Sequence, residues 1–321
     1  VYYLMYPILV MVAFGHQTWN YLMVILKRRP KLLLKSFIRP ENHYNKVCNQ
    51  LKKLDVRLLS SISHRLAACY VLKLVETPTK MPCIDKDQRF EQEHLLEVIT
   101  FAGKRIAVYC HTPTATLSND KTLLLIHGWE GRSIMFRPFI EPLTHSGFRV
   151  IMPDLPAHGA SGGQRCGFRE LADFITMLGR RYGPFDAAIG HSCGGIALGM
   201  ALEQGLQLER LVTIGSPKGL GSMLDTFVDY YQFPVSLKEA LRRLYVDKYS
   251  QNPDAIGIPL WATLQTPTLI CHDRHDATIA LTDALEMEAS FPNSELHLTS
   301  GWGHRGVLKD PTLHAKIISY L

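Results

Sequence analysis

The chain has 321 residues, 46% of them hydrophobic and 20% charged, the balance of a globular protein long enough for one large domain plus an appendage or for two modest domains. Its net charge of +6 forms no stripe along the chain; the basic residues concentrate before position 80, so nucleic-acid binding is not the expectation. Seven cysteines, an odd number with no CxxC pair, indicate neither a zinc site nor a disulfide framework, and a reducing, cytoplasmic setting is expected.

From Val1 to Leu26 there is no Asp, Glu, Lys or Arg, and Lys27, Arg28, Arg29, Lys31 and Lys35 follow at once. That length can span a bilayer, although Gly15-His16-Gln17-Thr18 and Asn20 interrupt it. No basic residue precedes the apolar stretch, which argues against a cleavable signal peptide, and the basic cluster behind it would keep the following domain in the cytoplasm. The alternatives are an ordinary apolar helix or an over-extended or truncated start. Between Leu51 and Leu74, Leu51, Leu54, Leu58, Leu59, Ile62, Leu66 and Tyr70 recur at helical spacing and predict an amphipathic helical region. Thr77 to Pro82 breaks it, and the charged stretch Asp85 to Glu93 reads as a linker. The expected division is therefore an N-terminal extension over 1–92, associated with the membrane through 1–26 if at all, and a main domain over 93–321.

Beyond residue 93 the pattern changes to short β-rich runs separated by turns and helical stretches. Leu95 to Phe101 and Lys104 to Cys110 flank Ala102-Gly103, a hairpin signal. Thr122 to Ile126, Arg149 to Pro153, Ala187 to Ile189, Leu211 to Ile214, Thr268 to Cys271 and Glu295 to Leu298 follow. Most are strongly apolar, as strands covered on both faces must be. Cys110 and Cys271 fall in such runs and read as buried, inert thiols. The alternation of strands and helices predicts an α/β protein with a doubly wound, mostly parallel sheet. Ligands of such sheets bind beyond the carboxyl ends of the strands. There the chain carries His127-Gly128-Trp129, Asp154 to Gly159, Gly190-His191-Ser192-Cys193-Gly194, Asp273 with Asp276, and Gly301-Trp302-Gly303-His304.

Gly190 to Gly194 fits G-x-S-x-G, a pattern met by chance in about one chain in ten of this length. Its setting is what counts: a strand candidate ends before it and a helical run with small residues starts after it. A serine in such a tight turn projects above the sheet at a helix N-terminus, and side chains two positions before or after it would collide with their neighbours. The free N–H groups there favour developing negative charge, so the amide of Cys193 is one candidate oxyanion donor.

With these features the sequence resembles the α/β-hydrolase superfamily over about 220 residues, in the right order. The resemblance implies a catalytic triad in the chain order Ser192, Asp276, His304. Leu269 to Asp276 is similar to the family's H-G-x-x-D loop with Asp273 in place of the usual glycine, so Asp273 is a second candidate acid and register favours Asp276. Gly303-His304 matches the family histidine, whereas His297 falls in a strand and His314 in the final helix. His127-Gly128-Trp129 resembles the turn whose third residue gives its N–H to the oxyanion, which assigns Trp129; His127 is expected to brace that turn. Asp154 to Gly162 resembles a supporting loop, so Asp154 and His158 stay off the catalytic set.

The connection from Pro217 to Pro267 is about 50 residues long, far more than such sheets need. Its amphipathic run Leu237 to Tyr245 and its aromatics Phe227, Tyr230, Tyr231, Phe233 and Trp261 predict a small helical cap over 217–267, most of the aromatics packing the cap onto the sheet. The resulting expectation is a carboxylesterase-like hydrolase acting on a small acyl substrate through an acyl-serine, with no cofactor and no metal. Ser192 excludes the branches of the superfamily that use an aspartate nucleophile. Acyl transfer, thioester or amide cleavage and a non-catalytic binding role are the alternatives.

Overall fold

The computed structural model describes residues 40–113 and 121–321. The chain divides into two units, Val1–Lys52 and Lys53–Leu321, and the fold below is that of the second. The apolar segment 1–26 lies outside the described residues; among the described residues no helix is long and apolar enough to cross a membrane.

Eight strands make one sheet: β1 (Leu95–Phe101), β2 (Lys104–His111), β3 (Thr122–Ile126), β4 (Arg149–Pro153), β5 (Phe185–His191), β6 (Leu208–Ile214), β7 (Thr268–Asp273) and β8 (Ser294–Thr299), in the order β1-β2-β4-β3-β5-β6-β7-β8. The first two strands are a hairpin. Ala102 and Gly103 both take positive φ, 47° and 72°, the turn whose twist matches that of the flanking strands. β2 also runs antiparallel to β4, and every later pairing is parallel.

The period-two alternation of β3 sorts its side chains between two cores. Leu124 and Ile126 point to the face covered by α5 (Phe168–Tyr182), α6 (Cys193–Glu203) and α10 (Leu281–Ser290). Leu123 and Leu125 point to the face covered by α4 (Arg137–His145) and α11 (Pro311–Tyr320). Each of these leucines is fully buried, worth about 1.5–3 kcal/mol apiece relative to exposure. α6, directly behind the candidate nucleophile, is buried from Cys193 to Ala201 because it lies against the sheet on one side and is covered on the other. Cys271 is buried and Cys110 half-buried in their strands.

The connection between β6 and β7 forms α7 (Leu220–Tyr230), α8 (Ser236–Tyr249) and the short α9 (Ile258–Trp261). Phe233 and Trp261 are buried, and Trp261 donates its indole N–H to Lys218 O at 2.7 Å while stacking on Phe291. Tyr230, by contrast, is exposed.

The helical region of 51–74 is two helices, α1 (Pro40–Ile62) and α2 (His64–Val75), with Ser63 capping the second by accepting from Leu66 N. α2 packs along α8, and the pair is tied at its end by Glu76, a buried carboxylate bonded by Arg165 Nη2 at 2.6 Å, Lys248 Nζ at 2.6 Å and the Tyr249 hydroxyl. The stretch expected as a linker is a helix, α3 (Asp85–His94). Its Glu91 is buried and meets Arg132 Nη2 at 2.5 Å, with Asp154 3.9 Å from the same guanidinium. Charge density alone suggested a solvated segment; the ion pair with Arg132, a partner 41 residues away, makes this helix part of the domain.

Candidate active site

β5 ends at His191, and the chain reverses at Ser192 into α6. Ser192 takes φ 53° and ψ −125°, a conformation that costs about 1–3 kcal/mol and persists only where the surroundings enforce it. Here they do. Ser192 N–H donates to Ile214 O at 2.8 Å, and Ser192 O accepts from Gly195 N at 3.0 Å and from the Ser216 hydroxyl at 3.1 Å. The two glycines of the motif are required by backbone proximity. A Cβ at Gly190 would lie 2.6 Å from Gly195 N, and one at Gly194 would lie 2.3 Å from Ile126 O.

The three residues drawn from the strand ends come together. His304 Nε2 lies 3.0 Å from Ser192 Oγ, and His304 Nδ1 lies 2.6 Å from Asp276 Oδ2. The other oxygen of Asp276 accepts from Thr278 N at 2.8 Å and Ile279 N at 2.9 Å, so the carboxylate cannot swing away from the ring. Burial alone would raise this carboxyl. The bonds from His304 and from the amides of Ile279 and Thr278 outweigh that and hold it below the usual carboxylate range. Ser192, the candidate nucleophile, is 7% exposed and so largely shielded from water.

Of the two candidate acids, Asp273 has a different place. At the end of β7 its Oδ1 accepts from His275 N at 2.9 Å and Gly303 N at 3.0 Å, and its Oδ2 from the Thr299 hydroxyl at 2.8 Å and Trp302 N at 3.2 Å. It binds the loop that carries Asp276 to the loop that carries His304. Burial pushes its carboxyl up, and these four donors pull it further down.

His191, inside the motif but passed over at the sequence level, is a second tie. Its Nε2 lies 2.9 Å from His304 O, the backbone carbonyl of the candidate base, and burial lowers its pKa to about 3, so the neutral ring donates there. Only the G-x-S-x-G spacing marked this position, and that spacing says nothing about which residue it holds. His127 braces its turn as expected: Nε2 accepts from Leu155 N at 3.0 Å and Nδ1–H donates to Gly128 O at 2.8 Å, which requires the neutral ring that burial enforces, with a pKa of about 4. Asp154 is likewise supporting, accepting from Ser133 N and Ala160 N at 2.7 Å each. His158 is buried, bonded to Pro156 O at 2.9 Å, and packed edge-on to Trp129.

The turn bearing Trp129 approaches so closely that a Cβ on Gly128 would sit 2.9 Å from Ser192 Cβ. Burial pushes the Cys193 thiol up to about 11, against the opposing effect of the Trp129 amide, the Ser192 hydroxyl and the Cys193 amide. From α7, Met223 brings its sulfur 3.6 Å from the Cys193 sulfur. Among the described residues, no group of three or more His, Cys, Asp or Glu side chains is arranged to hold a metal ion.

Comparison with known proteins agrees with this architecture. Residues 121–243 match the model of the α/β-hydrolase fold family. In fold the chain is similar to Est1E from Butyrivibrio proteoclasticus (TM-score 0.55, 15% identity, 70% of this chain and 97% of that one). It is similarly related to the esterase EaEST from Exiguobacterium antarcticum (TM-score 0.53, 18% identity, the same coverage) and to the meta-cleavage product hydrolase CumD from Pseudomonas fluorescens (TM-score 0.52, 18% identity, the same coverage). The chain has the α/β-hydrolase fold. Over 91 residues it is also 42% identical to the magnesium-chelatase 30 kDa subunit of Rhodobacter capsulatus, a match to 27% of this chain that spans about a third of that relative (32%).

Proposed function

We propose that the chain is a serine hydrolase that cleaves a carboxylic ester or related acyl bond through an acyl-serine intermediate. The observation that carries this reading is the continuous line from Ser192 Oγ to His304 Nε2 at 3.0 Å and from His304 Nδ1 to Asp276 Oδ2 at 2.6 Å. In this reading Ser192 Oγ attacks the acyl carbon as His304 Nε2 takes its proton. The carbonyl π-electrons move onto oxygen, where the amides of Trp129 and Cys193 stabilise the charge. His304 then gives the proton to the leaving alcohol as the tetrahedral intermediate collapses to acyl-serine. Water, deprotonated by the same histidine, releases the acid and restores Ser192. Asp276, kept ionised below the usual range, fixes the Nδ1–H tautomer and balances the imidazolium.

Every step uses groups of this chain. Esterases among the fold relatives favour an ester over a thioester or amide, and the intact geometry favours catalysis over a binding role. The test is labelling by a fluorophosphonate probe together with turnover of p-nitrophenyl esters of increasing acyl length. Both are expected to vanish in Ser192→Ala. A folded wild type that resists the probe, or a Ser192→Ala protein that keeps its activity, would move the binding role to the front.

A further inference from the structure

The C-terminal half of α1 has its apolar side turned outward. Leu54, Leu58 and Ile62 follow one another at four-residue intervals, hence along one stripe, and are 54%, 56% and 52% exposed. Leu66, in the first turn of α2, is 47% exposed. The opposite side of α1 is the one that packs: Val56 is fully buried and Leu59 lies against the core. A helix with three large aliphatic side chains on its solvent side, continued by a fourth at the start of the next helix, has an apolar face still to be covered. Lys53 donates to Gln232 at 2.9 Å, which brings the α7–α8 loop to the start of the stripe. Tyr230, at the end of α7, and Val235, in that loop, are each 72% exposed.

Charge says what covers it. From Lys53 to Lys80, the part that bears the stripe, five Lys and Arg stand against two Asp and Glu, although the residues beyond 80 carry 22 Lys and Arg against 26 Asp and Glu. Both acids of that part are occupied: Asp55 accepts from the Tyr70 hydroxyl at 3.1 Å, and Glu76 is buried beneath Arg165 and Lys248. Arg57, between Leu54 and Leu58 in sequence, is exposed. A second copy of this surface would bring like charges together. An anionic bilayer accepts both properties, apolar side chains entering the acyl boundary and basic ones meeting the headgroups. The uncharged run Val1 to Leu26, with its five basic residues at 27 to 35, has a composition suited to the same environment.

We propose that Leu54, Leu58, Ile62 and Leu66, flanked by basic residues, form a docking face for the surface of a membrane rich in anionic lipid. The face is independent of the catalytic reading and holds the hydrolase domain against the bilayer.

The experiment uses the full chain and vesicles of phosphatidylcholine with or without phosphatidylserine. Flotation should favour the anionic vesicles and weaken with salt. The triple variant Leu54→Ser, Leu58→Ser, Ile62→Ser should bind about tenfold or more weakly, with an unchanged urea midpoint because these side chains are already exposed. A second variant, Leu58→Trp, reports on the face itself. Its added fluorescence should be quenched by lipids brominated on the acyl chains, beyond any quenching of the wild type. Flotation that survives the triple substitution, or vesicle-bound Leu58→Trp protein without added quenching, overturns the proposal and leaves any binding to 1–26. A lipid-free, concentration-dependent dimer that the triple variant abolishes also overturns it, in favour of a second copy.

Discussion

Replacing Asp273 by alanine would remove the acceptor of four hydrogen bonds at once, those from His275 N, Gly303 N, Trp302 N and the Thr299 hydroxyl. Hydrogen bonds to a charged group contribute about 1.5–3 kcal/mol each, and only part of the sum is lost because water can enter the space; a destabilisation of about 3–5 kcal/mol is the expectation. The isosteric Asp273→Asn keeps one acceptor oxygen and turns an amide N–H₂ toward former donors, for a loss of about 1–2 kcal/mol. Its effect on turnover should be larger than that suggests, because Gly303 immediately precedes His304. A displacement near 1 Å of a catalytic group costs about 100-fold, so a fraction of that shift gives a fall in kcat of roughly tenfold with KM little changed. The assays are urea unfolding and steady-state kinetics on a p-nitrophenyl ester. The pH dependence has a definite sign. Because the folded carboxyl is held below its unfolded value, its contribution is complete above the unfolded carboxylate range and disappears as pH falls through the folded value; Asp273→Asn should flatten the acid limb of the stability curve. An Asp273→Asn protein with wild-type kcat and an unchanged acid limb would refute the idea that this carboxylate sets the position of His304.

The buried pair Glu91–Arg132 gives a second outcome: Glu91→Ala leaves the guanidinium buried beside Asp154 alone and should cost about 3–5 kcal/mol, while Glu91→Met with Arg132→Met should recover most of it, as read from a urea double-mutant cycle. Gly128→Ala places a methyl group 2.9 Å from Ser192 Cβ, and should slow fluorophosphonate labelling at least tenfold while shifting the melting temperature far less than a core substitution does. Glu76→Ala releases Arg165, Lys248 and Tyr249 from the joint between α2 and α8, with an expected loss of about 1–3 kcal/mol; an unchanged urea midpoint would show that apolar packing alone holds that joint.

Much of the architecture was legible because it is encoded locally. Thr122 to Ile126 and Arg149 to Pro153 are strands with the bounds expected of them, since an apolar run between turn residues has few other ways to satisfy its backbone. The hairpin at Ala102-Gly103 and the serine turn at Gly190 to Gly194 were visible for the same reason, their constraints lying within five residues. Register only inclined the choice between Asp273 and Asp276; in the structure the ring of His304, 28 residues beyond Asp276, lies 2.6 Å from the Asp276 carboxylate.

What the sequence by itself determined about this protein is the order of strands and helices, the parallel sheet, and the short list of polar residues at the strand ends. Periodicity, turn residues and motif spacing are properties of neighbouring positions, and they survive being read along a line. Only the tertiary structure decided that Asp273 joins two loops, that His191 holds the carbonyl of His304 113 residues away, and that Glu76 reaches Lys248 across 172 residues. It also decided that the charged run 85–94 is a helix held by Arg132 and not a linker. Those outcomes depend on which buried charge meets which partner. A carboxylate in a one-dimensional sequence has the same composition whether it is solvated, paired or poised beside a histidine, and the difference arises only where the chain brings its partner within about 3 Å.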